Sequence, residues 1–428
     1  MRRQLLLAFG LLAATGSGAQ SFRFDFTTDR KAPAGFIKIA ATDRYTPERG
    51  YGYDLRPATA TDGTTGSGEP FFFSVEVPDG NYRVTATLGS RRAAGETTLR
   101  AESRRLFYDN VPTRKGEFKS CTFVVNKRNT RISESESVRI KPRERHKLNW
   151  DDKLTIECNG TAPQLAYLEI ERVEDRPTVF LCGNSTVVDQ DNEPWASWGQ
   201  LIPRFFTDSI CFANYAESGE RTDTFIAAGR LKKLLTQMKA GDWILIEFGH
   251  NDQKLKGVGK GAFYSYMSSL KVFIDEAQAR GAHPVLVTPT CRRSFDAEGR
   301  IVDTHEDYPE AMRFLAARER IPLIDLNEMT RTLYEALGVE GAKRAFVHYP
   351  AGTYPGQTAA LEDNTHFNPY GACQIAKCVI EGMRQLDLPL VRYLRDDCTA
   401  YDPAHPDAPE SFRWNDSPFT EIEKPDGN

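Results

Sequence analysis

The chain has 428 residues, length enough for two or three domains, and its 55 Lys and Arg against 59 Asp and Glu leave a net charge of −4. That balance removes the electrostatic case for a nucleic-acid partner or an anionic membrane surface. Aromatic residues at 11% supply material for packed cores, which excludes a disordered chain.

Residues 1–19 read as a secretory signal: Arg2-Arg3, an apolar run from Leu5 to Ala14, then Ser17-Gly-Ala19 with cleavage expected after Ala19. Export to the periplasm or the extracellular space follows, without a lipid anchor, since no cysteine succeeds the apolar run. No later stretch approaches ~20 consecutive apolar residues, so no membrane span is expected. Export permits disulfides, yet the eight cysteines are scattered. Cys121 and Cys158 are a candidate bridge, whereas Cys373 and Cys378 point to different sides of a predicted helix. No Cys-x-x-Cys or His-x-x-x-His spacing offers a structural zinc site.

Residues 21–174 alternate strands with turns. Phe72 to Val77 and Tyr82 to Leu88 flank a turn cluster and read as a hairpin, and Cys121–Val125, Ser137–Ile140, Lys153–Glu157 and Leu165–Glu171 continue the pattern. This spacing predicts an all-β sandwich. The aromatic and Gly-rich stretch from Ser21 to Tyr53 is either a sugar-stacking surface or packing material for the sandwich.

Glu174-Asp-Arg-Pro177 marks a boundary. Residues 177–395 then alternate strand and helix, with strands at Thr178–Cys182, Ser209–Asn214, Trp243–Phe248, Pro284–Thr288 and Pro322–Asp325. Helical spacing covers 195–206, 222–239, 261–280 and 309–319. Strands of this kind, each followed by a helix, predict an α/β fold with a parallel sheet covered on both faces, a three-layer doubly wound domain. The aperiodic insertion from Arg344 to Glu362 is a candidate wall or lid. The Pro-, Asp- and Asn-rich residues 396–428 are expected to lie on the surface as a tail.

The chemistry gathers at strand ends, which in such a sheet face the ligand crevice. The first strand runs into Gly183-Asn-Ser185, which can hold up a hydroxyl, although an N-capping serine is the alternative. Gly219, after the second strand, lets backbone approach closely and aim an N–H into the crevice. Gly249-His-Asn-Asp252 abruptly ends the third strand, and the Asn251 amide can donate to a developing oxyanion. Asp363-Asn-Thr-His366, ahead of the last helix, supplies an imidazole base and the carboxylate that orients it.

Taken together, Gly183-Asn-Ser-Thr-Val187, Tyr215-Ala-Glu-Ser-Gly219, Phe248-Gly-His-Asn-Asp252 and Asp363-Asn-Thr-His366-Phe-Asn resemble the four blocks of the SGNH or GDSL-type hydrolases. Within that family they are similar to the rhamnogalacturonan acetylesterase branch. The resemblance covers about Pro177 to Leu386 and implies a flavodoxin-like fold, and the first portion resembles the galactose-binding-like sandwich that precedes it in some members. It implies that Ser185 is the nucleophile, His366 the general base and Asp363 its orienter. The N–H groups of Ser185 and Gly219 and the Asn251 side chain would form the oxyanion hole. One residue departs: many relatives carry Asp where this chain has Asn184, which keeps a hydrogen bond in the turn and removes a charge.

The expectation is therefore an exported, cofactor-free and metal-free serine esterase that deacetylates a plant polysaccharide, pectic rhamnogalacturonan above all. Trp198, His250, Tyr349 and Tyr354 are candidate substrate-binding side chains, packing being the alternative for the three aromatic rings. Two rivals are a lipase or thioesterase with the same catalytic residues and a non-catalytic carbohydrate-binding protein.

Overall fold

The computed structural model of the chain describes residues 21–29, 31–55 and 69–426; the signal-like segment 1–19 lies outside them. The first half contains β1 (Ser21–Asp25), β2 (Ile37–Lys38), β3 (Tyr51–Asp54), β4 (Phe71–Glu76), β5 (Gly80–Leu88), β6 (Gly95–Ala101), β7 (Arg105–Thr113), β8 (Lys119–Lys127), β9 (Lys153–Ala162) and β10 (Tyr167–Val173). One antiparallel sheet runs β3-β4-β9-β6-β7, and β8-β5-β10-β1-β2 lie side by side in the other. Every second side chain points inward. Phe73, Val75, Leu99 and Ile156 from the first sheet thus meet Val84, Ala86, Phe123 and Ile170 from the second in one core.

Three expectations for this half are corrected. The segments read as a hairpin, Phe72–Val77 and Tyr82–Leu88, belong to different sheets, because β4 pairs with β3 and β9 while β5 pairs with β8 and β10. The turn between them, with Pro78 exposed, carries the chain from one sheet to the other at the rim of the core, and alternation along the strands is the same for either arrangement. Ser137–Ile140 is not a strand: a single bridge joins Arg131 to Ser137, and the Arg139 N–H donates to the Ala228 carbonyl of the second half. Cys121 and Cys158 form no bridge, and both remain buried free thiols.

The second half carries β11 (Thr178–Gly183), β12 (Cys211–Asn214), β13 (Trp243–Glu247), β14 (His283–Val287) and β15 (Leu323–Ile324), parallel and in the order β15-β14-β13-β11-β12. Its helices are α1 (Trp198–Leu201), α2 (Thr222–Ala227), α3 (Arg230–Leu235), α4 (Met267–Gln278), α5 (Tyr308–Glu319), α6 (Leu326–Gly341) and α7 (Pro369–Gln385). Val179 and Leu181 of β11 pack with α1, α6 and α7, while Phe180 and Cys182 pack with α2 to α5. A strand buried on both faces explains the unbroken apolar run in the sequence. The expected helix 222–239 is broken at Gly229, whose φ of 83° no L-residue adopts easily. Helix α6 escaped the sequence reading.

The region from Arg344 to Glu362 is not an aperiodic loop throughout. Its first part is β16 (Phe346–Tyr349), which pairs antiparallel with β17 (Leu361–Phe367). Asp363 and His366 therefore sit on a strand. The tail is also more than a surface strand of chain: it bridges to Glu193 at Thr420, sets the Phe419 ring 5.4 Å from Phe72, and places Trp414 4.1 Å from the Arg100 guanidinium.

The two halves share a sheet and a charged seam. Phe212 of β12 pairs with Val125 of β8, which makes the parallel sheet and one sandwich sheet continuous. Beside that junction, Arg105 donates to Asp189 through Nε at 3.0 Å and Nη2 at 2.7 Å, with both residues fully buried. Arg104 donates to the carbonyls of Gln190 and Trp195 and pairs with Glu193. Removing one partner of a buried pair strands the other charge and typically costs about 3–5 kcal/mol. Arg105→Ala should lower the unfolding free energy by that order, read as a lower urea midpoint, whereas a midpoint equal to that of the parent protein would show the seam to be dispensable.

Candidate active site

The end of β11 is shaped by close approach. A Cβ on Gly183 would stand 2.5 Å from Val187 Cγ2 and 2.8 Å from the Glu247 carbonyl oxygen, so only glycine lets the chain turn here. The turn is then tied from within: Asn184 Oδ1 accepts from the Thr186 N–H at 3.1 Å and from its hydroxyl at 2.9 Å. Gln190 Nε2 holds the Ser185 carbonyl at 3.0 Å. These bonds fix the backbone on both sides of Ser185.

The Ser185 hydroxyl points at His366, with Oγ 2.8 Å from Nε2. On the other side of the ring, Nδ1 lies 2.7 Å from Asp363 Oδ2. The second oxygen, Asp363 Oδ1, accepts from the backbone N–H groups of Thr365 and His366 at 2.8 and 3.0 Å. Burial works to raise the Asp363 pKa, but the hydrogen bonds and charge of His366 and these N–H donors hold it below the ordinary carboxylate value. An ionised Asp363 keeps the imidazole proton on Nδ1 and leaves Nε2 able to accept from Ser185. The Trp195 ring stands edge-on to His366 at 5.9 Å and closes one side.

Gly219 and Asn251 lie on the segments that follow β12 and β13, the two strands on either side of β11. Gly219 takes φ 76°, and a Cβ there would fall 2.9 Å from Asp426 of the tail. Its loop is held from the sandwich side: Lys147 reaches Glu217 at 2.8 Å, Arg143 reaches it at 3.0 Å, and Lys141 donates to the Ser218 carbonyl. Burial would raise the Glu217 pKa, yet Lys147, Arg230 and Arg143 drive it far below the ordinary value. Asn251 Nδ2 donates to the Glu220 carbonyl at 3.1 Å, one residue past Gly219. Asp252 accepts from the Thr222 N–H and hydroxyl and from the Gly249 N–H, which ties this segment to the start of α2.

The four candidate substrate contacts fare differently. Trp198 is fully buried and donates through Nε1 to Glu247 at 2.6 Å, so it belongs to the core. His250 is 2% exposed, wedged between Thr290 Oγ1 and His305 Nε2 at 3.1 Å each, and burial followed by repulsion from His305 keeps it uncharged. Neither is presented to a substrate. Tyr349 and Tyr354 are half-buried and meet edge-on at 5.2 Å. Among the described residues no group of three or more His, Cys, Asp or Glu is placed to hold a metal ion.

Glu247, at the end of an apolar strand, escaped the sequence reading. It is fully buried under the Ser185 turn, accepts from Trp198 and lies 2.8 Å from the Thr186 hydroxyl. Burial pushes its pKa up to about 7 against the hydrogen bonds from Trp198 and Thr186. The Thr186 hydroxyl has one proton and two acceptors, Asn184 Oδ1 and Glu247 Oε1. A protonated Glu247 resolves this by donating to Thr186, which then donates to Asn184.

Residues 181–372 match the GDSL-like Lipase/Acylhydrolase family. The chain is 43% identical over 218 residues to rhamnogalacturonan acetylesterase RhgT of Bacillus subtilis (strain 168), covering 50% of this chain and 93% of that protein. It is 26% identical over 406 residues to the uncharacterized esterase YxiM of the same organism, covering 89% of this chain and 95% of that one. The crystal structure of the Bacillus subtilis YxiM protein aligns with a TM-score of 0.47 at 22% identity, covering 87% of this chain and all of that one.

A carboxyl whose folded pKa is raised favours the fold below its unfolded value and loses that contribution as pH rises to the folded value. Glu247 should thus withdraw stability between about pH 4.5 and about 7. The stability of Glu247→Gln relative to the parent, read from urea midpoints, should rise across that window. A constant difference would mean that Glu247 is already ionised at the low end.

Proposed function

Because the chain belongs to the GDSL-like lipase/acylhydrolase family and is a serine esterase, we propose that it removes O-acetyl groups from a plant polysaccharide, with acetylated rhamnogalacturonan as the substrate. The observation that carries the proposal is the hydrogen-bonded line from Ser185 through His366 to Asp363, at 2.8 and 2.7 Å. In the proposed reaction Ser185 Oγ attacks the acetyl carbonyl while its proton passes to His366 Nε2. Asp363 remains ionised and stabilises the imidazolium. The N–H groups of Ser185 and Gly219 and the second amide proton of Asn251 receive the oxyanion. His366 returns the proton to the departing sugar hydroxyl, and water activated by the same ring releases acetate from Ser185.

The polysaccharide is supported by the named activity of the relative RhgT, and of a second rhamnogalacturonan acetylesterase from Emericella nidulans at 22% identity. Export is proposed from residues 1–19. It predicts Gln20 as the first residue of protein recovered outside the cytoplasm.

Acetate release from acetylated rhamnogalacturonan, acetylated xylan and p-nitrophenyl esters of increasing acyl length tests the activity. Ser185→Ala and Asp363→Asn should each reduce kcat by on the order of 10⁴-fold. Asn251→Ala should reduce it by about 10²–10³-fold. An unchanged rate in Ser185→Ala would refute the nucleophile, and activity confined to long acyl chains would move the function to the lipolytic rival.

A further inference from the structure

The tail changes character at Glu421. Up to that residue it is fastened to one buried acid. Trp414 Nε1 and the Ser417 N–H both donate to Glu193 Oε1, at 3.0 and 2.9 Å, and the Glu193 backbone bonds to the Phe419 carbonyl and the Glu421 N–H. The Trp195 indole closes the series by donating to the Glu421 carbonyl at 2.8 Å. Glu193 itself is fully buried and paired with Arg104. Bonds sheltered from water in this way hold residues 414–421 in place.

Residues 422–426 are held differently. Among the described residues, no backbone hydrogen bond ties them to the rest of the protein. Their polar latches are two ion pairs, Lys424 Nζ to Asp363 Oδ1 and Asp426 Oδ2 to Arg143 Nε, each at 3.5 Å. The Lys424 and Asp426 side chains are 47% and 55% exposed, and ion pairs at such exposure hold weakly and are screened by salt. Pro425, which is buried, adds a small apolar contact.

This weakly held stretch touches two blocks of the site. Lys424 meets the carboxylate that orients His366. The Asp426 main chain seats on Gly219, where a Cβ would stand 2.9 Å from Asp426 Cβ and 3.6 Å from its carbonyl carbon. Residues 423–426 also wall a cleft of about 410 Å³ together with Gln190 and Trp195, which contact Ser185 and His366 respectively. A cleft of that size takes a small molecule and not a polysaccharide chain. Ser185 is 3% exposed and His366 1%, too little for an acetyl group borne on a polymer to meet the hydroxyl in this arrangement.

We propose that residues 422–426 are a strap that lies across the way to Ser185 and swings about Glu421 when the acetylated polymer enters. The closed strap admits small esters through the cleft and holds back large ones. The inference rests on the esterase reading for the reactivity of Ser185. A protein whose open form is a minor population takes up large ligands more weakly by that fraction, so loosening the two latches favours large reagents alone.

Two fluorophosphonates measure access without an acetylated substrate. Ser185 Oγ bonds to phosphorus as fluoride leaves, and intact mass gives the labelling rate for diisopropyl fluorophosphate and for a fluorophosphonate joined to β-cyclodextrin. In full-length protein carrying Lys424→Gln and Asp426→Asn, the ratio of bulky-probe to small-probe rates should rise at least about fivefold, which an open state populated at ~0.1–10% leaves room for. Taking the ratio cancels any effect of the lost Lys424 charge on Asp363 and His366. In about 1 M NaCl, where the screening length is about 3 Å, the parent's ratio should rise likewise and the double variant's should stay constant. Lys424→Arg should keep the parent's ratio. A ratio equal in parent and double variant overturns the strap and leaves the esterase standing. A raised ratio in a protein that releases acetate from no polysaccharide keeps the strap and overturns the polysaccharide reading.

Discussion

Arg105 and Asp189 face each other with no access to water, and the ion pair they form holds the segment that follows Ser185. Asp189 also accepts from Asn214 Nδ2 at 2.8 Å, and Asn214 in turn donates to the Val187 carbonyl. The guanidinium reaches on to the carbonyls of Asn126 and Phe212. One cation from the sandwich therefore fixes the positions of β11, β12 and the turn between β11 and α1. A buried charge is tolerated only when its donors and acceptors are all but saturated, and that requirement forces the two halves into one arrangement.

The same logic recurs at the second block. Glu217 would be a liability in a buried loop were it not met by Lys147 and Arg143 from the segment between β8 and β9. Part of that segment, Ser137–Ile140, was read from sequence as a further strand. Most of its backbone bonds stay within the segment, as from Ile132 to Glu136, Val138 to Thr130 and Lys147 to Glu144, with Arg139 bonded to Ala228 of the second half, and Lys141, Arg143 and Lys147 from it meet Glu217 and Glu220 beside Gly219. The sandwich is thus built into the walls of the crevice.

Much of this architecture was legible because parallel strands buried on both faces leave long apolar runs, and because polar residues such as Asn251 are conspicuous where such runs stop. That the strands are parallel and covered on both faces followed from the alternation of strand and helix. What stayed hidden depended on partners distant in sequence. The hairpin reading of β4 and β5 failed because alternation is blind to which sheet a strand joins. Trp198 and His250 were read as substrate contacts because aromatic and imidazole side chains serve cores and ligands equally well; only Glu247, Thr290 and His305 reveal which role they have. Glu247 itself left one signal, an acid at the end of an otherwise apolar strand.

Asp426, the last described residue, packs against Gly219, and Lys424 two positions earlier leans on Asp363. The tail at Lys424 and Asp426 therefore forms part of the rim over the Ser185 crevice, and a polymer arriving from solution meets it before it meets the hydroxyl.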